Sequence, residues 1–278
     1  MPDSRSVMRD TTREAAAVYY ASLRRLQPED RVRRSLELSD QMRAVMEAGV
    51  RHRHPDYDEE AVRLAFLRLW LGEALPRAVC SNRGGKRMTD SGMRFRWLVE
   101  SLDRAGIAYM VSGSLASTFH GEHRATNDVD VIISPTESQL KTLLESFGEE
   151  IYVSPAVAQE AFHHRSMFNV IDPMSGFKAD LIIRKERAFS IEEFNRRRRV
   201  EILGVTLYIV SAEDTILSKL EWSKAGGSDQ QFRDALGVAC VQLETLDRDY
   251  LQRWSHELNV HDLLEELLRE ARRQLSSE

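Results

Sequence analysis

The chain has 278 residues, of which 42% are hydrophobic and 30% are charged, and its formal net charge is −5. This composition is typical of a globular protein long enough for more than one domain, and the negative charge excludes a uniformly basic nucleic-acid coat. Two cysteines exclude a disulfide framework, and no apolar run approaches the roughly 20 residues that span a membrane. The first residues also lack the apolar core of a secretory signal, so we expect a cytoplasmic protein with no membrane partner.

The first 79 residues are expected to form a helical module. Apolar residues recur at helical spacing from Thr12 to Leu26 and again from Glu29 to Ala48, where Gly49 is expected to end the second helix. A third helix is expected to begin after Asp58, because acids suit a helix N-terminus. Helices this short bury only a small core, so such a module often completes its core on a partner.

Residues 80–93 are predicted to form a linker. Cys80–Arg87 is rich in turn-forming and charged residues, and Met88 and Met93 follow it directly. This layout suggests that two separately translatable units have been joined.

Residues 94–210 alternate between helices and strands, which favours a mixed sheet with helices and an α+β fold. The stretch Met110–Ile133 lies at its centre. An apolar run ends at Ser112-Gly113-Ser114, a short helix follows, and a second apolar run begins after Asp128. Gly113 has no side chain to keep a phosphate from its backbone, and the helix after it offers free N–H groups to an anion.

Two acids on the second of these strands, Asp128 and Asp130, are predicted to point to the same face, because side chains alternate along a strand. Neighbouring carboxylates repel each other and are costly to bury, and a divalent cation relieves that cost. Oxygen ligands of this kind suit Mg²⁺ or Mn²⁺. A metal site beside a phosphate cradle is typical of phosphoryl transfer to a hydroxyl, although a DxD pair is also found in structural turns and calcium sites.

The last part of the chain, residues 211–278, is predicted to be a helical domain. Ser211–Asp214 resembles a capping box and starts a helix that contains Lys219. After a break at Gly226–Ser228, Asp229 opens the next helix, with Arg233 and Asp234 on it.

These motifs together resemble the polymerase-β-like nucleotidyltransferase superfamily. Gly113-Ser114 and Asp128-x-Asp130 match its cradle and its metal-binding pair, and Asp180 matches the place of its third carboxylate on a later strand. The stretches 213–219 and 231–234 look like the third and fourth motifs of AbiEii/MenT-type toxins, which belong to nucleotidyltransferase toxin–antitoxin pairs of a type IV-like kind. The lead-in to Asp128, Arg124–Asn127, departs from that of several such toxins, which bears on nucleotide preference. Within the N-terminal module, residues 38–57 resemble the MenA-type antitoxin partner.

The resemblance implies a set of site residues. The expected metal ligands for Mg²⁺ or Mn²⁺ are Asp128, Asp130 and Asp180. The expected nucleotide-binding residues are Gly113, Ser114, Arg124, Lys219 and Arg233, and the expected catalytic residues are Asp128, Asp130, Asp180, Lys219 and Asp234.

The resemblance also implies an activity: transfer of a nucleoside monophosphate from a nucleoside triphosphate to the 3′ end of tRNA, which would block translation. The antitoxin-like module would restrain this activity by covering the site or by holding it inactive, in cis or across a dimer.

Other interpretations stay open. The same carboxylates would serve an enzyme that modifies a protein or a small hydroxylated molecule, and a catalytically idle nucleotide-binding module would keep the same fold. The N-terminal helices would equally suit a simple accessory domain. Arg196–Arg199 is read either as a contact for an RNA backbone or as a solvated loop before a strand.

Overall fold

Three N-terminal helices open the fold: α1 (Arg13–Arg25), α2 (Pro28–Arg53) and α3 (Glu59–Leu71). The structure, a computed structural model, describes residues 12–72 and 90–276. The expected end of the second helix at Gly49 is wrong, because α2 continues through it to Arg53. A glycine inside a helix costs only about 1 kcal/mol relative to alanine, and the buried Val50 packs immediately after it.

One mixed sheet of six strands, in the order β3-β4-β2-β1-β6-β5, forms the centre of the described chain. The strands are β1 (Ala108–Val111), β2 (Val129–Ser134), β3 (Met167–Asp172), β4 (Phe177–Ile183), β5 (Arg198–Ile202) and β6 (Val205–Ile209). β2 is antiparallel to β1 and parallel to β4, and Asp130 stands directly opposite Asp180 in the β2–β4 register. This architecture confirms the predicted α+β class with a mixed sheet.

Five helices lie along the sheet part of the chain: α4 (Ser91–Arg104), α5 (Gly113–His120), α6 (Glu137–Ser146), α7 (Pro155–His164) and α8 (Ala188–Asn195). The last two have no counterpart in the sequence-based prediction. Ser91–Met93, which the expected linker includes, forms the first turn of α4. The rest of that linker up to residue 89, with Cys80 and Met88, lies outside the described residues.

Four further helices end the described chain: α9 (Ala212–Gly226), α10 (Asp229–Gln242), α11 (Arg248–Glu257) and α12 (His261–Leu275). Their apolar faces form a second core beside that of the sheet. No helix in residues 12–72 and 90–276 is both long and apolar enough to cross a membrane.

The N-terminal helices are built into the rest of the chain at three places. Tyr20 and Leu23 of α1 belong to the core of the C-terminal helices, and Val32 and Leu36 of α2 belong to the core of the sheet. In α3, the Trp70 indole N–H donates a 3.1 Å hydrogen bond to the carbonyl of Gly176, in the turn between β3 and β4. The module therefore completes its core on its own chain.

Candidate active site

The predicted phosphate cradle lies where β1 ends and α5 begins. Gly113 has a φ of +59°, in the left-handed region that favours glycine, and a Cβ atom at this position would lie 1.8 Å from Oδ2 of Asp130. The neighbouring Ser112 N–H donates a 2.9 Å hydrogen bond to the carbonyl of Asp130. The carboxylate of Asp130 is therefore packed directly against the first turn of α5, and only glycine fits between them.

The three predicted carboxylates are brought together on neighbouring strands. Asp130 and Asp180 are partners in the parallel β2–β4 register, and Asp128 comes just before β2. Burial raises the pKa of Asp130 to about 6, and the negative charges of Asp128 and Asp180 add to this effect. Asp128 and Asp130 line a cavity, whereas Asp180 is largely buried beside it. Negative charge at this point is costly, so the site favours a cation.

A lysine that the sequence reasoning missed supplies a positive charge. The Lys178 ammonium lies 2.9 Å from Oδ1 of Asp180 and 3.5 Å from Oδ2 of Asp128. Asn169 also donates a 2.6 Å hydrogen bond to Asp180. Lys178 is two positions before Asp180 on β4, so both side chains lie on one face of the strand. This spacing could have predicted the contact from the sequence.

The carboxylates are of the chemical type that binds a divalent cation, although their oxygens do not converge on one point. Among the residues that the structure describes, no three His, Cys, Asp or Glu side chains are arranged to hold a metal ion. The Lys178 ammonium instead occupies the space between Asp128 and Asp180. Carboxylate oxygens that already attract an ammonium ion are hard ligands of the kind that Mg²⁺ and Mn²⁺ prefer.

Two cations lie near the cradle, and one carboxylate binds both. Lys219 is largely buried on α9, with its Nζ 2.9 Å from Oδ2 of Asp234 on α10. Arg124 binds the same carboxylate through Nε at 3.0 Å and Nη2 at 2.9 Å, and Nη2 also donates a 2.8 Å hydrogen bond to the hydroxyl of Ser114. Burial alone would raise the pKa of Asp234, but the hydrogen bonds and charges of Arg124 and Lys219 hold it below its usual value. Asp234 thus orients both cations.

Arg233, predicted to act with Asp234, does not join this network. Its side chain is exposed, and its Nε donates a 3.4 Å hydrogen bond to the carbonyl of Asp229 in its own helix. Gln230, which was not predicted, instead donates a 2.8 Å hydrogen bond to Asp234.

A cavity of about 410 Å³ opens in front of the cradle. Gly113, Ser114, Asp128, Asp130 and Lys219 line it, and every lining residue in the described chain lies at or after position 112. The described part of the N-terminal module therefore does not cover the cavity, which was one of the two expected modes of restraint.

Helix α2 instead packs behind the loop between α5 and β2. The Ser35 hydroxyl donates to the carbonyl of Arg124, and the Thr126 N–H donates a 3.0 Å hydrogen bond to the hydroxyl of Ser39. Thr126 in turn donates through its own hydroxyl to the carbonyl of Asp128 at 3.0 Å. The antitoxin-like helix therefore contacts the backbone that presents Arg124 and Asp128.

The arginine run at 196–199 is used partly inside the protein. The Arg196 guanidinium lies 3.7 Å from the Tyr250 ring centroid and 3.4 Å from a carboxylate oxygen of Glu213. The Arg197 guanidinium lies 4.4 Å from the ring of Phe194, while Arg198 and Arg199 begin β5. None of the four lines the cavity.

Comparison with known proteins gives one sequence match. The family model of the Rv0078B-related antitoxins matches residues 24–96, about a quarter of the 278 residues. The match agrees with the predicted antitoxin resemblance of the N-terminal helices, while the MenA and MenT types stay predictions. No curated protein matches the chain.

Solved structures give only distant likenesses. An antigenic nucleotidyltransferase-like protein from Paracoccidioides brasiliensis is 17% identical, with a TM-score of 0.41, over 65% of this chain and 92% of that one. The antibiotic-resistance factor ANT(2'')-Ia is 12% identical, with a TM-score of 0.40, over 62% of this chain and 96% of that one. JHP933 from Helicobacter pylori is 16% identical, with a TM-score of 0.32, over 65% of this chain and 88% of that one. At these values the function has to be argued from the site.

Proposed function

We propose that this chain is a nucleotidyltransferase that transfers a nucleoside monophosphate from a nucleoside triphosphate to a hydroxyl group. The observation that supports this most strongly is the register of Asp130 and Asp180 beside the cradle at Gly113. Acids placed together, a helix that begins at a glycine and two cations bound by Asp234 are the parts that phosphoryl transfer needs.

Each residue has a role in this proposal. The backbone at Gly113 and the hydroxyl of Ser114 bind phosphate oxygens, and Lys219 and Arg124 neutralise the charge of the triphosphate while Asp234 orients them. Asp180 accepts the proton of the attacking hydroxyl, whose oxygen forms a bond to the α-phosphorus as the bond to pyrophosphate breaks. Mg²⁺ or Mn²⁺, held by Asp128 and Asp130 with Asp180, would supply Lewis-acid stabilisation of charge on the phosphoryl oxygens.

The acceptor we propose is the 3′ end of tRNA, whose blocking would stop translation and make the enzyme a toxin. The antitoxin-related match at residues 24–96 supports a toxin–antitoxin context. For the proposed restraint by the N-terminal module, the contacts of α2 with the loop that presents Arg124 favour action from behind the site over covering of the cavity.

The test is labelling by the full-length protein with total tRNA, each labelled nucleoside triphosphate in turn, and Mg²⁺ or Mn²⁺. We expect one nucleotide to be added to tRNA, and we expect D130N to lose transfer by at least about 1,000-fold, because charge stabilisation at the phosphoryl group fails. The exposed acid of α11, in D249N, is the matched control and should transfer at the wild-type rate. Label on protein instead of RNA would reject the tRNA acceptor, and no label with any acceptor would reject the activity.

A further inference from the structure

On the face of the sheet that borders the cavity, polar and apolar rows of side chains follow one another along the strands. The row at Asp130, Asp180 and Asn169 is polar, and the next row on the same face is apolar, formed by Ile132, Ile182 and Met167. These residues are in register across β2, β4 and β3, and all three of the apolar row line the cavity. Two residues along a strand separate the rows by about 6.6 Å. An apolar floor therefore begins directly beside the carboxylates.

A cationic edge lies one further step along the same face. Arg184 follows β4 and donates a 3.4 Å hydrogen bond through Nε to the hydroxyl of Ser134, at the end of β2. Lys185 is next and is exposed, and both line the cavity. In the described chain no carboxylate pairs with either cation, whereas Arg187 nearby is bound by Glu221. Arg184 is about 13 Å from the carboxylate row, four strand residues away.

Trp222 stands at the side of the cavity on α9. It lies three residues after Lys219, so both side chains lie on one side of the helix, and both line the cavity. Its side chain is 65% exposed, although most tryptophans bury most of their surface. Within the described residues its indole has no aromatic, cationic or hydrogen-bonding partner. In proteins that bind single strands, bases stack on aromatic side chains, so this exposed ring beside the candidate site suits a nucleobase.

We propose that this face is the track for the single-stranded 3′ end of a nucleic-acid acceptor. The terminal base stacks on Trp222 above the apolar floor of Ile132, Ile182 and Met167, and Arg184 and Lys185 bind backbone phosphates behind it. The terminal hydroxyl then lies toward the carboxylate row. This inference rests on the proposed transfer reaction and names the residues that would select its acceptor.

Charge favours a nucleic-acid strand over the other occupants. In the proposed reaction, Ser114, Lys219 and Arg124 already bind the triphosphate of the incoming nucleotide. Arg184 and Lys185 are therefore two cations in excess of what a mononucleotide uses. A ligand that touches both the carboxylate row and the arginine row must extend about 13 Å along the sheet and be anionic at its far end. A single-stranded RNA end meets both conditions.

The test measures binding of a 5′-fluorescent RNA octamer ending in CCA to full-length D130N protein, so that no turnover occurs. We expect W222A to bind the octamer about tenfold more weakly and W222F to bind it nearly as well as the parent, since base stacking needs the ring and not the indole N–H. The R184A/K185A double variant should also bind weakly and lower the slope of log affinity against log salt by about 1.4, the value for two single-strand phosphate contacts. Y57A and K141A, changes at an exposed tyrosine and an exposed lysine outside the cavity, are the matched controls.

Binding of nucleoside triphosphates by the same variants separates the alternatives. We expect W222A to bind them within about twofold of the parent. If W222A loses nucleotide affinity while keeping the octamer, the ring serves the incoming base and the proposal is wrong. If W222A changes the affinity for neither the octamer nor the nucleoside triphosphates, the proposed track is wrong. It is also wrong if the transfer assay labels protein and W222A does not change the rate of that labelling. Octamer binding that depends on Trp222, combined with no transfer by the wild type, would keep the track and reject the proposed reaction.

Discussion

The segment from Ser112 to Asp130 borders the cavity on one side and helix α2 on the other, and the two sides contribute differently to the stability of the fold. On the cavity side, Gly113 has a positive φ, and Asp130 has a raised pKa because it is buried beside two other acids. On the α2 side, a buried cation of α2 is hydrogen-bonded to the backbone of the segment. Arg31, only 2% exposed, donates hydrogen bonds to the carbonyls of Thr118 and Phe119 at the end of α5, where a cation also suits the helix dipole.

The difference shows how a costly arrangement of charges is held in place. The cavity side contains repulsion between buried carboxylates, which by itself destabilises the fold. The α2 side contributes hydrogen bonds and apolar burial to the same segment, so the cavity side keeps one geometry. The antitoxin-related helix is therefore part of what fixes the shape of the cradle.

The largest expected effect on stability comes from filling the cradle. G113A would place a Cβ atom 1.8 Å from Oδ2 of Asp130, so the carboxylate must move, and we expect about 3 kcal/mol of lost stability and at least about 100-fold lower transfer. G227A is the matched control: Gly227 has a similar φ of +61° but no atom within 4 Å of its added Cβ. It should cost only about 1 kcal/mol, from backbone strain alone. Denaturant unfolding and the transfer assay measure both, and equal costs would show that contact with Asp130 is unimportant.

A second prediction concerns the charge of Asp130. Because its pKa is raised to about 6 in the folded protein, against about 3.9 in an unfolded chain, the folded state binds the extra proton between these values. The contribution of Asp130 to stability therefore falls as pH rises from about 4 to about 6 and then levels off. D130N removes the repulsion, so we expect it to be more stable than wild type by about 1–3 kcal/mol at pH 7.5 without metal, and equal to wild type near pH 4.

The contrasting variant is D180N, measured by the same denaturant unfolding. Asp180 is satisfied by Lys178 at 2.9 Å and by Asn169 at 2.6 Å, so neutralising it should destabilise the protein at pH 7.5. If D130N were also destabilising at that pH, the view of the cavity side as a place of net repulsion would fail.

The sequence located the strands of the candidate site because their chemistry is local. Gly113, Asp128 and Asp130 lie within one short stretch, and the period of two along a strand predicts their common face. The pairing of Asp130 with Asp180 came from a family resemblance and not from spacing, because strand register depends on the whole sheet. The fold class was predictable because the alternation of helices and strands is also a local pattern. The end of α2 was not predictable, because packing overrides the preference of one glycine.

The roles of Trp222 and of helix α2 were missed because their contacts are distant in the sequence. Lys178 was predictable from its position before Asp180, but nothing near Trp222 in the sequence distinguishes an open ring from a core ring. Only the packing of α9 against α5 and α10 shows that it borders the cavity. The position of α2 behind the loop was equally hidden, because its serines look like ordinary helix residues in the sequence.

The smallest predicted effect tests the α2 side directly. Ser39 accepts the hydrogen bond of the Thr126 N–H, and Thr126 holds the backbone of Asp128. S39A leaves that N–H without its acceptor, so we expect about 1 kcal/mol of lost stability. We also expect about fivefold faster transfer, because the proposed restraint acts through α2 and this variant loosens its hold on the loop that presents Arg124 and Asp128. Steady-state kinetics and hydrogen exchange of residues 121–128 measure the two consequences.

The control for S39A is S101A, another buried serine whose hydroxyl bonds a carbonyl four residues earlier in its helix. Ser101 accepts its further hydrogen bond from Arg104 of the same helix and not from the site loop. S101A should lose similar stability while keeping the transfer rate and the exchange of residues 121–128. The sign of the S39A effect then decides what the antitoxin-related helix does. A slower enzyme means that α2 braces the loop in a working position, whereas a faster one means that α2 holds the loop inactive and that the fused helix is a restraint.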